Sequence, residues 1–377
     1  MADGRVSSTS WRWGRAGLWL TGLAVLVAAC TSSAPARPAP SPAAPAAPAS
    51  SAAPVSSAAP VGSAAPTSAA PAPLVSLRLP YTAISVTITP WWIAKESGYF
   101  EQEGIDSQVD YIATSTTLTQ AMLSGEIAVA NSGQEALLTA RLAGADIIGL
   151  ATTSDHPLFQ LYGAPGMTHV GDLRDKRVAI TRLGSATSTV ASLLLQRNGL
   201  APDRDVAIIQ TGGVPEIFAA LQSGAVDAGI LSPPTAFAAA EAGYPLLADT
   251  TQMDIPFHQG LVITTGPYLA SNEDLVRRVL RAYLRGIARY KQDKAYAKQV
   301  LGQYTKTDDD SILEQTWAME DRALSRVPYP SVDAIKLGLD QAAAQYPDAA
   351  SRDPREFFDD RILRELESNG FVASLYR

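Results

Sequence analysis

Cysteine is the scarcest residue in this 377-residue sequence: Cys30 is the only one, beside three histidines, His156, His169 and His258. A single cysteine excludes an intrachain disulfide framework and a cysteine-based zinc site. The histidines are widely spaced and form no His-Glu-x-x-His pattern, so a metalloprotease-type centre is not expected. Gly-x-x-x-x-Gly-Lys, Gly-x-Gly-x-x-Gly and Gly-x-Ser-x-Gly are also absent. With them go the common signatures of phosphate binding, dinucleotide binding and serine hydrolysis. No Lys/Arg block exceeds a pair, and the formal net charge is −7, which disfavours a nucleic-acid partner. No run of 18 or more apolar residues occurs, so no transmembrane helix is expected.

What is present begins with a targeting segment over residues 1–30. Arg12 and Arg15 precede an apolar stretch from Ala16 to Ala29, too short to span a bilayer, which ends Val27-Ala28-Ala29-Cys30. The ending resembles the lipobox of bacterial lipoproteins, which implies diacylation of Cys30 and anchorage to the outer face of a membrane. Residues 31–73 are almost wholly Ala, Pro and Ser with Arg37 the only charge. Such a segment has too little apolar side chain to bury and reads as a disordered tether. The folded unit starts near Leu74.

Within it one stretch occurs twice. Ala121-Met122-Leu123-Ser124-Gly125-Glu126-Ile127-Ala128-Val129-Ala130 returns 99 positions later as Ala220-Leu221-Gln222-Ser223-Gly224-Ala225-Val226-Asp227-Ala228-Gly229, and Ala143-Gly144 returns as Ala242-Gly243. Each copy reads as helix end, Ser-Gly turn, short strand, Ala-rich helix, Ala-Gly cap and second strand. A glycine just past a helix supplies the left-handed cap that a side chain would resist. Two such units predict two similar α/β lobes with a cleft between them. Strands alternating with helices elsewhere in the chain point the same way. Thr89 reads as the N-cap of a helix with Pro90 in its first turn, and Ser271 as the cap of a long helix bearing Leu275, Val279, Leu280, Tyr283, Leu284 and Ile287 on one face. The last sixty residues predict further helices packed on the first lobe.

Three phrases carry a resemblance: Pro90 to Ile105 with its Gly98-Tyr99-Phe100, Leu123 to Ala130, and Gly171-Asp172-Leu173-Arg174-Asp175-Lys176-Arg177-Val178-Ala179-Ile180. Over about residues 75 to 300 the chain resembles the SsuA/THI5-like (NMT1) solute-binding proteins of ABC importers. The resemblance implies a two-lobed, type II periplasmic-binding-protein-like α/β fold with two crossovers. Lobe 1 would take 74–155, lobe 2 156–257, and 258–377 would return to lobe 1 with C-terminal helices. It implies no cofactor and no metal, a small and anionic ligand of the sulfonate, taurine or nitrate type, and ABC permease and ATPase subunits as partners. The alternative is an extracytoplasmic sensor or a pyrimidine- or aromatic-precursor binding protein. Cys-rich eukaryotic relatives act as pyrimidine-precursor synthases; a chain with only Cys30 is not expected to be an enzyme. Asp175 stands where the family has Gly, and Ala128 where it has Asp.

Ligands of open α/β sheets bind beyond the carboxyl ends of the strands. That rule selects Ser85 to Trp92, the turn Asn131-Ser132-Gly133, the loop Gly184-Ser185-Ala186-Thr187-Ser188, Gly212-Gly213 and Ser232-Pro233-Pro234. The expected ligand-binding residues are therefore Thr89, Trp91, Asn131, Ser132, Gly184, Ser185, Thr187, Gly213 and Ser232. The hydroxyl-rich Gly184 loop at a helix N-terminus suits an anion, although plain capping by Ser185 or Thr187 reads the same residues. Trp91 and Trp92 point about 100° apart on a helix, so only one can floor a pocket. Arg182 is either an anion partner or a surface arginine. Asp308-Asp309-Asp310 reads as a helix entrance rather than a metal site.

Overall fold

The computed structural model describes residues 73–377 except Asp155; Cys30 and nearly all of the Ala/Pro/Ser stretch lie outside the described residues. β1 (Val75–Arg78) is followed by α1 (Thr89–Glu96), α2 (Tyr99–Gln102), β2 (Ile105–Gln108), α3 (Ser115–Leu123), β3 (Val129–Ser132), α4 (Gln134–Leu142) and β4 (Ile147–Ser154). Then come β5 (Gln160–Gly163), β6 (Arg177–Ile180), α5 (Ala186–Arg197), β7 (Ala207–Gln210), α6 (Val214–Gln222), β8 (Ala228–Leu231), α7 (Thr235–Glu241) and β9 (Leu246–Asp249). The chain ends with β10 (Gly260–Thr265), α8 (Gly266–Ser271), α9 (Glu273–Gln292), α10 (Lys294–Thr305), α11 (Asp310–Ala323), α12 (Val332–Ala342), α13 (Arg361–Ser368) and α14 (Phe371–Ser374).

Two sheets of the same plan result. In the first, the parallel pair β2–β1 is joined to β3–β10–β4 through a bridge between Tyr81 and Asn131. The second runs β7–β6–β8–β5–β9. β10 lies antiparallel between β3 and β4, and β5 lies antiparallel between β8 and β9. In each lobe the single reversed strand is the one that arrives from the other lobe. Two crossings therefore complete both sheets.

The internal repeat has a direct structural meaning. β3 and β8 hold equivalent places, and the turns before them match: Gly125 and Gly224 have φ of 81° and 72°, while Ser124 and Ser223 each bond back to the carbonyl three residues earlier. Left-handed φ is a local demand that glycine meets without steric cost.

Lobe 1 has a core on each face of its sheet. Trp91, Phe100, Tyr283 and Tyr290 fill one, and Leu118, Leu137, Ile335 and Phe357 the other. α9 lies against α1 so closely that a Cβ on Gly286 would collide with the Pro90 carbonyl, which requires glycine there. Lobe 2 packs Val178, Leu194 and Phe257 on one side and Ile217, Val226 and Ala239 on the other.

Several expected boundaries move. Thr89 is not an N-cap: a 3-10 turn over Val86–Ile88 runs straight into α1, and Thr89 already has helical φ and ψ of −53° and −42°. Asn131 and Ser132 are the last two residues of β3 rather than a turn, because the bridge to Tyr81 and the pairing with β10 extend the strand. β4 likewise runs on to Ser154. Ser271 closes α8 and does not cap the long helix, since Asn272 leaves helical geometry at φ −137° before α9 starts. Asp309 does cap α11, accepting from the backbone N–H groups of Ser311 and Ile312.

Candidate functional site

The two crossings are fastened to each other. Gln259, just before β10, accepts from the Leu158 N–H at 2.6 Å on the outgoing segment and donates to Ser85 Oγ at 3.4 Å. Thr250 accepts from the Phe159 N–H at 3.1 Å and donates to the Pro157 carbonyl at 2.9 Å. His258 bonds Gln134 at the start of α4 and accepts from the Ser331 N–H. The strand ends of lobe 1 thus sit directly beside the hinge.

At that rim, backbone bonds clamp Asn131 between two segments: its N–H donates to the Pro80 carbonyl at 2.9 Å, and its own carbonyl accepts from Thr82 N–H at 3.1 Å. Ser132 Oγ meets Thr82 Oγ1 at 3.0 Å. The Asn131 side chain is fully buried, yet neither Oδ1 nor Nδ2 has a hydrogen-bond partner in the protein. Thr153 Oγ1 on β4 and Thr89 Oγ1 on α1 are buried and unpartnered too. A Cβ on Gly260 would stand 2.5 Å from Thr153 Oγ1 and 3.3 Å from Asn131 Oδ1. Glycine at that position of β10 leaves the space in which these two polar atoms converge.

Buried polar groups without partners each cost on the order of 1–3 kcal/mol, and they are uncommon enough in folded proteins to need an explanation. Four residues on from Asn131, Glu135 supplies another. It lies in the first turn of α4, and its Oε1 is buried without a partner. Parts of the residue still meet solvent, but desolvation of the carboxyl pushes its pKa up to about 7, only partly offset by a bond from its own backbone N–H. Glu135, Thr153 and Gly260 escaped the sequence reading. Only the place of Glu135, just past the β3–α4 turn, could have flagged it.

Lobe 2 is built differently. Ser185 caps α5, accepting from the Ser188 N–H at 3.3 Å and donating to the Arg182 carbonyl at 2.7 Å. Thr187 Oγ1 accepts from the Thr181 N–H at 2.9 Å, and the hydroxyls of Thr181, Ser185 and Thr187 lie 2.9 Å apart pairwise. The hydroxyls of Ser185 and Thr187 satisfy each other and their own helix, so plain capping accounts for them. Gly184, at φ 70°, makes the turn. Gly213 is the N-cap of α6, and the Glu216 carboxylate folds over the place its Cβ would occupy. A carboxylate from the chain itself already covers that helix end. Ser232 is buried, and its carbonyl accepts from the Ala236 N–H in the first turn of α7.

With the repeat offset of 99, Asn131 and Ser132 of β3 correspond to Ile230 and Leu231 of β8. The polar strand end in lobe 1 has an apolar counterpart in lobe 2.

Trp91 does not serve the site. Its ring packs edge-on against Phe100 and Tyr283, and its Nε1 donates to the Leu79 carbonyl at 3.1 Å. Every face is engaged in the core. Trp92 is the tryptophan nearer the rim, 5.5 Å from Tyr81 in an edge-to-face contact and stacked on Tyr304 at 4.5 Å. Arg182 donates to the Ala113 carbonyl of lobe 1, so it links the lobes across the mouth of the cleft. Among the described residues, no cluster of His, Cys, Asp or Glu could hold a metal ion. Surface grooves of about 770 and 650 Å³ lie away from the strand ends, one along α10 and α11 and the other beside Tyr329 and α13.

Two topologically matched lobes, two crossing segments and buried polar groups at the strand ends define a periplasmic-binding-protein-like fold. The comparisons with known proteins agree. Residues 85–296, more than half of the chain, match the model described as NMT1/THI5 like. The chain belongs to the NMT1/THI5-like family, as the sequence phrases around Gly98, Ser124 and Asp172 imply. No curated protein sequence matches it. Among solved structures it is similar to a protein from Bordetella bronchiseptica RB50, at 20% identity and TM-score 0.68, covering 78% of this chain and 98% of that one. The alkanesulfonate-binding protein SsuA from Xanthomonas axonopodis pv. citri, bound to MOPS, is 21% identical with TM-score 0.62, covering 77% and 99%. The periplasmic nitrate-binding protein NrtA from Synechocystis PCC 6803 is 13% identical with TM-score 0.63, covering 81% and 91%. At these identities the likeness speaks for the fold.

Proposed function

We propose that this chain is the extracytoplasmic solute-binding lipoprotein of an ABC importer. It captures a small solute between its lobes and delivers it to a permease and ATPase. Diacylated Cys30 holds it to the membrane through the Ala/Pro/Ser tether. No bond is made or broken; the solute shifts an equilibrium between open and closed lobes by touching both. Family membership and the sulfonate- and nitrate-binding names of similar structures support the role.

The observation that carries the reading is the Asn131 side chain, fully buried at the end of β3 with both amide atoms unpartnered. A solute that pairs with it removes a cost the unliganded protein bears. The lobe 1 rim is accordingly the principal binding surface, with Asn131, Thr89 and Thr153 as contacts. Gly184, Gly213 and Ser232 shape the facing wall.

The test is native mass spectrometry of the freshly purified full chain, followed by a thermal-shift screen of small metabolites. A co-purifying or screened solute should raise the melting temperature of the wild type and leave that of Asn131→Leu unmoved. A hit whose effect survives in Asn131→Leu would remove the site from this rim. For the anchor, Cys30→Ser should abolish metabolic labelling by palmitate and release the protein from membranes.

A further inference from the structure

Glu135 is the group in lobe 1 that the scaffold does not explain. Its side chain folds back so that Oε2 lies 2.6 Å from where a Cβ on Gly133 would stand. Among the described residues no lysine, arginine or histidine pairs with it, and its Oε1 has no partner of any kind. A helix dipole favours a carboxylate in the first turn, but by less than the cost of burying one. A buried carboxylate is stabilised by a proton or by a cation.

The surroundings make a coherent set. Asn131 Oδ1 and Thr153 Oγ1 are acceptors without partners, and they converge over Gly260. With the Glu135 carboxyl they form an acceptor-rich rim that seeks N–H donors. The seat an anion would take at the start of α4 is covered by Glu135 itself. Arg182, the arginine on the facing loop, donates to Ala113 instead.

We propose that Glu135 is a specificity-determining residue that binds a basic nitrogen of the solute, so that the natural ligand is a small organic compound carrying a protonatable amine or nitrogen heterocycle. This rests on the solute-binding reading above and adds the ligand's chemical class to it.

The experiment uses the full chain and a metabolite library containing pairs that differ at one nitrogen: taurine with ethanesulfonate, β-alanine with propionate, benzylamine with benzyl alcohol. Thermal shift selects binders, and calorimetry measures them against wild type, Glu135→Gln and Glu135→Met. The nitrogen-bearing member should bind wild type at least tenfold more tightly than its partner. Both variants should lose that preference while their unliganded melting temperatures do not fall, because a buried charge has been removed. A residue that merely braced α4 would lower the melting temperature and keep the preference. Equal binding of paired members, or a preference that persists in both variants, overturns the assignment of Glu135 and leaves the solute-binding role standing. If no library member binds the wild type, the solute-binding reading itself fails and the assignment with it.

Discussion

His258 and Gln134 face each other at 2.8 Å, Nδ1 to Oε1, where the second crossing meets the start of α4. The imidazole Nε2 accepts the Ser331 N–H at 2.7 Å and so carries no proton, which makes Nδ1–H the donor and the ring neutral. Gln134 in turn donates to the Ala334 carbonyl at 3.2 Å, which fixes the amide's orientation. One buried relay ties the hinge, the binding rim and the C-terminal helices of lobe 1.

Replacing His258 by leucine should leave the Ser331 N–H and Gln134 Oε1 buried and unpaired. Denaturant unfolding should show a loss of about 2–4 kcal/mol. Because α4 carries Glu135, solute affinity should fall as well. Unchanged stability would mean that the relay relaxes around an apolar side chain.

Trp91 belongs to the core, so its effects should be on stability alone. Trp91→Phe keeps the aromatic packing but strands the Leu79 carbonyl, for an expected cost of about 1–3 kcal/mol. Calorimetric affinity for a solute found in the screen should stay within about twofold of wild type, measured where both proteins are folded. A tenfold loss would return Trp91 to the site.

Stability should depend on pH through Glu135. Its carboxyl titrates near the ordinary 4.5 when unfolded and at about 7 in the folded protein, so between these values the native state holds the extra proton. Stability contributed by the neutral carboxyl is present below about pH 4.5, declines as pH rises to about 7, and is flat beyond. The decline is on the order of 2 kcal/mol, after discounting for the part of the residue that meets solvent. Urea unfolding from pH 4.5 to 8 should show this slope in wild type and a flatter profile in Glu135→Gln. Identical profiles would place the carboxyl in water.

Asp175 occupies a turn at φ 61°, in the left-handed region, with its N–H donating to the Asp205 carbonyl at 2.8 Å. This is the position where the family carries Gly. Aspartate tolerates the conformation better than most residues, yet a Cβ there is still strained. Asp175→Gly should therefore be neutral or stabilising by about 0.5–1 kcal/mol in denaturant melts, despite glycine's greater freedom in the unfolded chain. A loss above about 1 kcal/mol would show that the aspartate side chain has a further role.

Much of the lobe architecture was legible because it depends on local geometry. The Ser-Gly and Ala-Gly turns announce a left-handed residue after a helix, and their return at a fixed offset exposes two copies of one unit. Thr114 before α3, Ser185 before α5 and Asp309 before α11 were readable for the same reason, since a cap bonds within its own helix turn. Asn131 was also selected correctly as a rim residue, although as part of a turn and not of a strand. Its strand character comes from Tyr81 and Val262, which the residues around Asn131 do not reveal.

The site's chemistry was less legible. The Gly184 loop looked like an anion seat because hydroxyls at a helix N-terminus look alike whether they are free or engaged. Thr181 decides the matter by closing the hydroxyl triangle. Trp91 and Trp92 could not be separated, because Phe100, Tyr283 and Leu79 determine which of them turns inward.

By itself, then, the sequence determined the repeated units, their caps and turns, and the family to which the chain belongs, since each depends on residues within a few positions of one another. Only the tertiary structure decided which polar groups are left without partners. Satisfaction of a buried hydrogen-bonding group depends on neighbours distant in the chain, as with Thr153 and Gly260 around Asn131, and on the solvent that folding removes from Glu135.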